Sequence, residues 1–526
     1  MTSSSYKRYA GHATAIALAF IFFVQVYGGI LDQSLTWDEP SYIAGGYSYL
    51  TGSHFHLNPS HPPLLQNLAA LPLLFLDIGV PTKHPALSTD ANLVVSFGRS
   101  LIFESGNDVE QITYWARLSR VVIGTILIGA IYLWGLRLYG MAPALFATAV
   151  ATFSPNLIAH SKLATEDLGC SALMFFSTWA FWHALRSRRA QYWILCGAVT
   201  GLALISKYTA LLLVPIYGIF FLWALINPNC EVRRVELLKI CLTTGSVAVL
   251  VIGAGYNLSF DLTLYFKGLT ELYQDYRSIG FYLMGTVYSE PKWYYTLAAF
   301  ILKVPVSTSL LILIALVSAV SDRRHREAQV YLLVPASVVF VASFFDIHNL
   351  GFRRALPALP FLLLFVAQGV AGQRNKLKFL LAVPLLLWTA VETVRIHPHH
   401  LAYLNAAVGG AERGPYLLDD SNIDWGQDLP ALAKWQKQHP EAQPIKLWYF
   451  GTANPASYGV VSIPFASGDY SNPRPGYYAI SAHRLVTLRK YQAKLNRDID
   501  WLEKYKPIAR AGYSIYIYSF PPADEQ

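Results

Sequence analysis

The feature that most constrains this chain is a series of long apolar runs, which repeats from near the N-terminus to about residue 394. A helix needs roughly 20 apolar residues to cross the ~30 Å hydrocarbon core of a bilayer. By that measure about eleven runs predict membrane-spanning helices. They are residues 13–31, 116–139, 141–158, 168–185, 192–205, 209–226, 237–256, 294–320, 330–345, 356–370 and 377–394. The sequence therefore predicts a polytopic α-helical membrane protein.

The composition changes after the last apolar run. Only 14% of the whole chain is charged and 54% is hydrophobic, whereas about a quarter of the residues in a typical soluble domain are charged. The final segment has an ordinary soluble composition, with a predicted helix at 430–438 and predicted strands at 445–451, 477–481 and 513–520. We therefore expect a membrane module, residues 1–394, and a small α/β tail domain, residues 395–526.

The basic residues orient the predicted helices. The net charge is +9, but the lysines and arginines sit in short loops between apolar runs, which argues against a nucleic acid as partner. Alternate loops are rich in Lys and Arg, namely those at residues 7–8, 186–189, 233–239, 323–326 and 374–378. Positively charged loops stay in the cytoplasm. With an odd number of spans, the N-terminus is cytoplasmic and the tail domain is extracytoplasmic, in a multi-pass protein of the cell inner (plasma) membrane.

The long first outer loop, residues 32–115, carries the first candidate site. Its segment 64–76 is apolar but too short to cross a bilayer, so we expect an interfacial or re-entrant helix there. Asp38 and Glu39 lie directly outside the first predicted span. Two interpretations fit them: a solvated loop end with a helix cap, or carboxylates that accept a proton from a hydroxyl or amine nucleophile.

Three further outer segments carry charges that packing does not require. Glu166 and Asp167 begin a span, where an ordinary helix cap is the competing interpretation. Lys303 lies inside an apolar run, which is costly for a charged group unless it meets an anion or reaches the interface. Arg353 and Arg354 run against the charge bias of the outer loops, and tandem arginines suit either a phosphate or lipid head groups. Acids and bases thus converge on one face of the membrane.

In these residues the chain resembles the GT-C glycosyltransferases of the protein O-mannosyltransferase and lipid A aminoarabinose transferase type, particularly phospholipid-carrier-dependent prokaryotic members. The matching segments, in chain order, are WDEPSY, NPSHPPL, AHSKLATED, WYYTLAAFILKVP, NLGFRRALPALPFL, HPHHLAYLNAAVGG and LLDDSNIDWGQDL. The resemblance extends to about Asp428. It implies an inverting transferase that moves a sugar from a polyprenyl-phosphate carrier to a glycan, lipid or protein acceptor outside the cytoplasm.

The resemblance also implies roles for individual residues. Asp38 would be the general base and Glu39 a supporting acid. Asp167, with Glu166 and His61, would position the acceptor or a metal. Lys303, Arg353 and Arg354 would bind the carrier phosphate, and Lys207 is a weaker candidate for the same role.

Three questions stay open at this stage. A transporter or flippase of a lipid-linked or anionic substrate is the main rival to an enzyme, although transporters usually place their charges near the bilayer midplane. No cofactor is certain from the sequence. A divalent metal stays open, with His54, His56 and His61 as weak candidates, because their spacing is not a ligand signature. The acids at residues 419–428 are interpreted as caps and turn-closing residues, or alternatively as a loop that folds back over the site.

Overall fold

The computed structural model describes residues 3–88, 93–187, 189–227, 232–260, 262–274, 280–371, 376–496 and 498–522. Two arginines of the predicted cytoplasmic loops, Arg188 and Arg374, lie outside the described residues. What the structure describes is mostly helical, with a small sheet near the C-terminus. The predicted fold class, a polytopic helical membrane protein with an α/β tail, is confirmed in this outline.

Most helices belong to the membrane module. The helices before residue 400 are α1 (Ser3–Tyr27), α2 (Glu39–Gly52), α3 (Pro63–Ala70), α4 (Val94–Arg99), α5 (Val109–Tyr139), α6 (Met141–Thr152), α7 (Pro155–Ser161), α8 (Asp167–Arg186), α9 (Ala190–Leu204), α10 (Leu213–Ile226), α11 (Arg234–Gly255), α12 (Leu262–Gln274), α13 (Tyr295–Lys303), α14 (Val306–Ser321), α15 (Arg326–Ser343), α16 (Leu359–Phe365), α17 (Ala367–Val370) and α18 (Lys376–Arg395). Among the described residues, 5 helices are long and apolar enough to cross a membrane, or 7 if each bent pair is one span. The predicted count of about eleven therefore stays a prediction.

Two runs predicted as continuous spans are bent. Helices α6 and α7 meet at 60°, and helices α13 and α14 meet at 110°. Proline follows each break: Pro155 occupies the first turn of α7, and Pro305 directly precedes α14. Proline has no backbone N–H to donate, so a helix cannot run through it without losing a hydrogen bond. At the second break, the amide of Asn405 donates to the carbonyls of Ile301 and Val304, which satisfies groups that the helix has left free.

The first outer loop folds into α2, α3, α4 and short turns that pack on one another. The apolar segment predicted at 64–76 forms α3 and a following 3-10 turn, Leu71–Phe75. One side of this segment is buried, whereas Leu71, Leu74 and Phe75 are exposed. An interfacial helix would turn such an exposed apolar edge toward lipid. The interfacial position of this segment stays a prediction.

The tail domain is built on a 5-stranded sheet of order β4-β3-β5-β7-β6. Its strands are β3 (Ile445–Trp448), β4 (Ser462–Pro464), β5 (Gly476–Ser481), β6 (Ala509–Ala511) and β7 (Ile515–Phe520). Strands β1 (Phe281–Leu283) and β2 (Thr286–Tyr288) form a separate hairpin between α12 and α13. Strand β3 is parallel to β4 and β5, and β7 is antiparallel to β5 and β6. Helices α19 (Gly414–Leu417), α20 (Leu429–Gln438), α21 (Ala482–Leu495) and α22 (Trp501–Lys504) complete the tail. The predicted helix and the three predicted strands are confirmed, and β4, β6 and α21 were not predicted.

The tail is connected to the first outer loop by backbone hydrogen bonds. The N–H of Ser34 donates to the carbonyl of Gln427 at 2.9 Å, and the N–H of Trp37 donates to the carbonyl of Trp425 at 2.8 Å. Trp37 also stacks on Phe450, with ring centroids 5.0 Å apart. The acidic loop 419–428 therefore packs directly beside the segment that carries Asp38.

Candidate active site

A cavity of about 220 Å³ lies where the first outer loop meets the loops after α9 and α15. It is lined by Asp38, Tyr42, Ser60, His61, Lys207, Tyr208, Thr209, Leu272, His348, Leu350, Arg353 and Arg354. The structure thus brings together five of the residues predicted from the sequence, which come from segments far apart in the chain.

Asp38 is the carboxylate that reaches this cavity. It precedes α2, and its side chain is 24% exposed. Its Oδ2 atom accepts a hydrogen bond from Arg353 Nη1 at 3.1 Å, and the hydroxyl of Tyr42 donates to the same oxygen at 3.5 Å. A partly exposed carboxylate with one cationic partner is open to a substrate proton.

Arg353 lines the cavity beside Asp38. Its guanidinium lies over the ring of Trp425, 4.8 Å from the centroid, so the tail domain supports its position. Burial alone would lower the pKa of Arg353, but the nearby carboxylates of Asp38, Asp167 and Asp420 outweigh burial and raise it. Arg353 is therefore a fixed positive charge beside Asp38.

Glu39, the other member of the first acidic pair, is fully buried. The guanidinium of Arg117 donates to both of its oxygens, at 2.9 and 2.7 Å. The backbone N–H groups of Thr36 and Ala164 donate to it as well, at 2.8 and 2.7 Å. Burial raises the pKa of Glu39, but the charge and hydrogen bonds of Arg117 exceed that effect and lower it overall. Glu39 is an ionised anchor without access to the cavity.

The second acidic pair lies behind the cavity wall. Glu166 and Asp167 are both buried at the start of α8. His61 Nδ1 lies 2.7 Å from Glu166 Oε2, and Lys207 Nζ donates to Asp167 Oδ1 at 2.6 Å. The partners His61 and Lys207 line the cavity, whereas the two acids do not. The acids therefore reach the cavity only through their basic partners.

Lys303 was predicted to bind the carrier phosphate, but the structure places it away from the cavity. It is buried, and its ammonium donates to the backbone carbonyls of Leu401 at 2.8 Å, Tyr403 at 3.1 Å and Asn422 at a shorter distance. It does not line the cavity. Three carbonyl acceptors take up the three donors of an ammonium group, so Lys303 is committed to holding the tail loops.

Arg354, beside Arg353, lines the cavity and pairs with Asp346, with Nε and Oδ2 3.4 Å apart. His348 lies on the same wall and is paired with Asp346 at 3.6 Å. Of the predicted metal candidates, His54 and His56 are in ring contact with centroids 5.6 Å apart, His56 also contacts the carbonyl of Ala86, and His61 is paired with Glu166. Among the described residues, no group of three or more His, Cys, Asp or Glu side chains is arranged to hold a metal ion.

Several site residues escaped the sequence analysis. Arg117 lies inside an apolar run, and a charged residue there signals a buried partner, so it was recognisable in principle. Tyr42, Tyr208 and Trp425 carried no comparable signal, because aromatic residues are common at membrane interfaces.

Comparison with known proteins places this geometry in context. Residues 106–254, which include Glu166, Asp167 and Lys207, match the family model described as dolichyl-phosphate-mannose-protein mannosyltransferase. None of the curated proteins matches the chain.

Among solved structures, the oligosaccharyltransferase of Archaeoglobus fulgidus in complex with Zn and sulfate has a TM-score of 0.50 at 12% identity, over 91% of this chain and 69% of that chain. ArnT from Cupriavidus metallidurans in the apo state has a TM-score of 0.49 at 12% identity, over 98% of both chains. The fold is of the GT-C membrane glycosyltransferase type. The family model, over its matched residues, indicates glycosyl transfer as the class of reaction.

Proposed function

We propose that the protein is an inverting glycosyltransferase, which moves a sugar from a polyprenyl-phosphate carrier to a glycan, lipid or protein acceptor on the extracytoplasmic face of the inner membrane. The observation that carries this proposal is the cavity in which one accessible carboxylate, Asp38, faces three cations: Lys207, Arg353 and Arg354. The match of residues 106–254 to a family that uses a dolichyl-phosphate sugar supports the class of donor.

The three cations suit a lipid phosphate. Arginine presents a planar set of donors that grips phosphate oxygens in pairs, and lysine adds a mobile point charge. Lys207 is held by Asp167 on one side and reaches the cavity on the other, with 16% of its side chain exposed. We assign the carrier phosphate to Arg353, Arg354 and Lys207, and we leave Lys303 out because backbone carbonyls already hold its ammonium group.

The proposed reaction is a direct displacement. The acceptor oxygen or nitrogen attacks the anomeric carbon from the face opposite the phosphate, and its proton passes to the carboxylate of Asp38. The bond between the anomeric carbon and the phosphate oxygen breaks, and the electron pair leaves with polyprenyl phosphate. The cations stabilise the negative charge that develops on that leaving group. The configuration at the anomeric carbon is inverted.

The contact between Asp38 and Arg353 links the proposed base to the proposed phosphate site. The guanidinium of Arg353 lies 3.1 Å from Asp38. A donor phosphodiester presents a single negative charge and two free oxygens, which a guanidinium can bind in a pair. Arg353 therefore lies where one side chain can contact both the donor phosphate and the carboxylate of Asp38.

The remaining acids act as positioning residues in this scheme. Glu39 fixes the start of α2 through Arg117, and so sets the direction of its neighbour Asp38. Glu166 and Asp167 hold His61 and Lys207 at the cavity wall.

In the proposed topology, with a cytoplasmic N-terminus, the tail domain lies on the same side as the cavity. Fusing a periplasm-active or a cytoplasm-active reporter after Gln526 tests this topology. Activity of the cytoplasmic reporter alone would overturn it.

The central experiment offers purified protein a panel of polyprenyl-phosphate sugars with candidate acceptors, and measures free polyprenyl phosphate. Release that needs an acceptor, with an inverted linkage in the product, supports the transferase. If the protein instead moves the intact donor across a proteoliposome membrane and releases no free polyprenyl phosphate, it is a flippase and the proposal is wrong.

A further inference from the structure

A second polar cavity lies at the other end of the membrane module from the candidate active site. Helix α8 has 20 residues, begins at Asp167 behind the active-site wall and ends at Arg186 in this second cavity. At 1.5 Å per residue the helix is ~30 Å long, which is the thickness of the hydrocarbon core. The two cavities therefore belong to opposite faces of the membrane.

This second cavity has a volume of about 530 Å³ and is rich in arginine. Arg186, Arg323, Arg324 and Arg326 line it together with Glu236 and Glu327. Arg186 is already neutralised, because its guanidinium donates to both oxygens of Glu327, at 3.0 and 2.6 Å. The excess positive charge therefore comes from the segment at residues 323–326.

The side chains of Arg323, Arg324 and Arg326 form no ion pair with any other residue that the structure describes. All three are exposed, although they line a cavity rather than a convex surface. Cytoplasmic loops carry arginine simply to orient a membrane protein. Orientation alone does not require that these arginines line a cavity, or that they lack an ion-pair partner there.

Besides these charged groups and the polar Ser187 and Asn227, the lining of the cavity is apolar and aromatic. Trp193, Trp223, Ile240 and Tyr331 contribute to it from the ends of α9, α10, α11 and α15. The indole of Trp193 donates to the carbonyl of Ser187 at 3.1 Å, which fixes the ring at the end of α8. Tryptophan and tyrosine at helix ends mark the level of lipid head groups. A ligand in this cavity therefore has charge next to the arginines and apolar contact toward the membrane.

We propose that this cavity binds the phosphate head group of an anionic phospholipid, at a site separate from catalysis. The shared chemistry that it recognises is a phosphate monoanion, which arginine binds through paired hydrogen bonds. The position at the helix ends, between tryptophans, favours a lipid over a free phosphate ion. Basic cavities between helices on the cytoplasmic side are suited to such head groups. This inference depends on the membrane fold and not on the proposed glycosyl transfer.

The test is native mass spectrometry of the full-length protein, delipidated and titrated with phosphatidylglycerol or with phosphatidylcholine. We expect wild type to bind phosphatidylglycerol preferentially. The triple variant Arg323→Ala/Arg324→Ala/Arg326→Ala removes three phosphate contacts and is expected to bind it about 100-fold more weakly. The matched control is Lys7→Ala/Arg8→Ala/Arg137→Ala, which removes the same charge from the same predicted face but does not alter the cavity.

The outcomes separate the alternatives. Equal weakening in both triple variants, or none in either, overturns the site, because binding then follows overall charge or does not use these arginines. Inorganic phosphate and glycerol phosphate form the second arm: binding as tight as that of the lipid overturns the lipid assignment. If the triple variant fails to fold, Arg324→Glu alone replaces it, and unchanged lipid binding by that variant contradicts the proposal.

Discussion

The pairs Asp38-Glu39 and Glu166-Asp167 look alike in the sequence, since each puts two acids at the start of a helix in an outer segment. The structure gives them different surroundings. In the first pair, Asp38 reaches the cavity while Glu39 is enclosed by Arg117. In the second pair both acids are enclosed, and their partners His61 and Lys207 reach the cavity in their place.

This difference separates two uses of a carboxylate. An accessible carboxylate can exchange a proton with a substrate, whereas an enclosed carboxylate paired with a basic side chain holds that side chain in place. Of the four acids, only Asp38 faces the cavity directly. The comparison therefore predicts a large effect on turnover at one position and effects on stability or binding at the other three.

The largest expected effect is on turnover in Asp38→Asn. Loss of the proposed general base is expected to lower kcat about 10²- to 10⁴-fold, with the melting temperature nearly unchanged because Asn keeps the size of the side chain. Release of polyprenyl phosphate measures it. The matched control is Asp77→Asn, an exposed acid of the same outer loop, which should retain wild-type turnover. Wild-type turnover in Asp38→Asn would remove the base from the mechanism.

Glu39→Ala should act on stability. It leaves the buried guanidinium of Arg117 unpaired, and breaking a buried ion pair in this way costs about 3–5 kcal/mol. Thermal unfolding of detergent-purified protein measures the change. Glu110→Ala, an exposed acid in the first turn of α5, is the control and should change stability by less than about 0.5 kcal/mol. Recovery of stability in Glu39→Leu/Arg117→Met would confirm that the unpaired charge causes the loss.

The pH dependence of stability follows from the lowered pKa of Glu39. A carboxyl whose pKa is lower in the folded state stabilises the fold above its unfolded pKa of about 4.3. That contribution is lost as the pH falls through the lower folded value. We expect the stability gap between wild type and Glu39→Gln to be constant from pH 7 to about 5, and to shrink below about pH 4. If the stability difference between the two proteins stays constant down to pH 3, the ionised form of Glu39 does not stabilise the fold.

The second pair is tested through its partner at the cavity. Lys207→Met removes a proposed phosphate contact and is expected to raise the KM for the lipid donor about 10-fold, with a smaller change in kcat. Steady-state kinetics with varied donor measure it. Lys83→Met, which changes an exposed lysine of the first outer loop, is the control. If the KM for the donor is unchanged in Lys207→Met, Lys207 does not bind the donor phosphate and serves only as the partner of Asp167.

The smallest expected effect is at His61. His61→Gln weakens the 2.7 Å contact to Glu166 and should cost about 1 kcal/mol of stability. His56→Gln gives up a contact to the carbonyl of Ala86 and a ring contact to His54 but no ion pair, and should cost less. Unfolding in parallel preparations compares the two variants, and an equal loss would mean that the contact to Glu166 has no special weight.

Elements that depend on local pattern could be predicted from the sequence. Strands β3, β5 and β7 alternate or concentrate β-branched and aromatic residues, which is typical of half-buried strands. Strand β4 has three residues and ends in Pro464, so it carries little such signal. The bend before α14 follows from Pro305, although the hydrophobicity of residues 294–320 favoured a continuous span.

The site was predictable only in part. Asp38 and Arg353 could be placed on one face because topology alone brings outer loops together. The partner of Glu39 could not be identified, because Arg117 is 78 residues away and any buried cation would have satisfied the same requirement. For Lys303, the cost of a buried charge indicated a partner without specifying whether it was an anion or a set of carbonyls.

The position of Lys303 bears on whether the membrane module and the tail can be separated or exchanged. Residue 394 divides the chain by composition, but the ammonium group at the end of α13 is held by the carbonyls of Leu401, Tyr403 and Asn422 beyond that boundary. A chain cut after residue 394 would retain a buried ammonium without these acceptors, and grafting a foreign tail would have to reproduce three carbonyls in the same arrangement. The two regions therefore share a buried contact, and we expect recombination between relatives to succeed at the far end of the tail rather than at its junction with the membrane module.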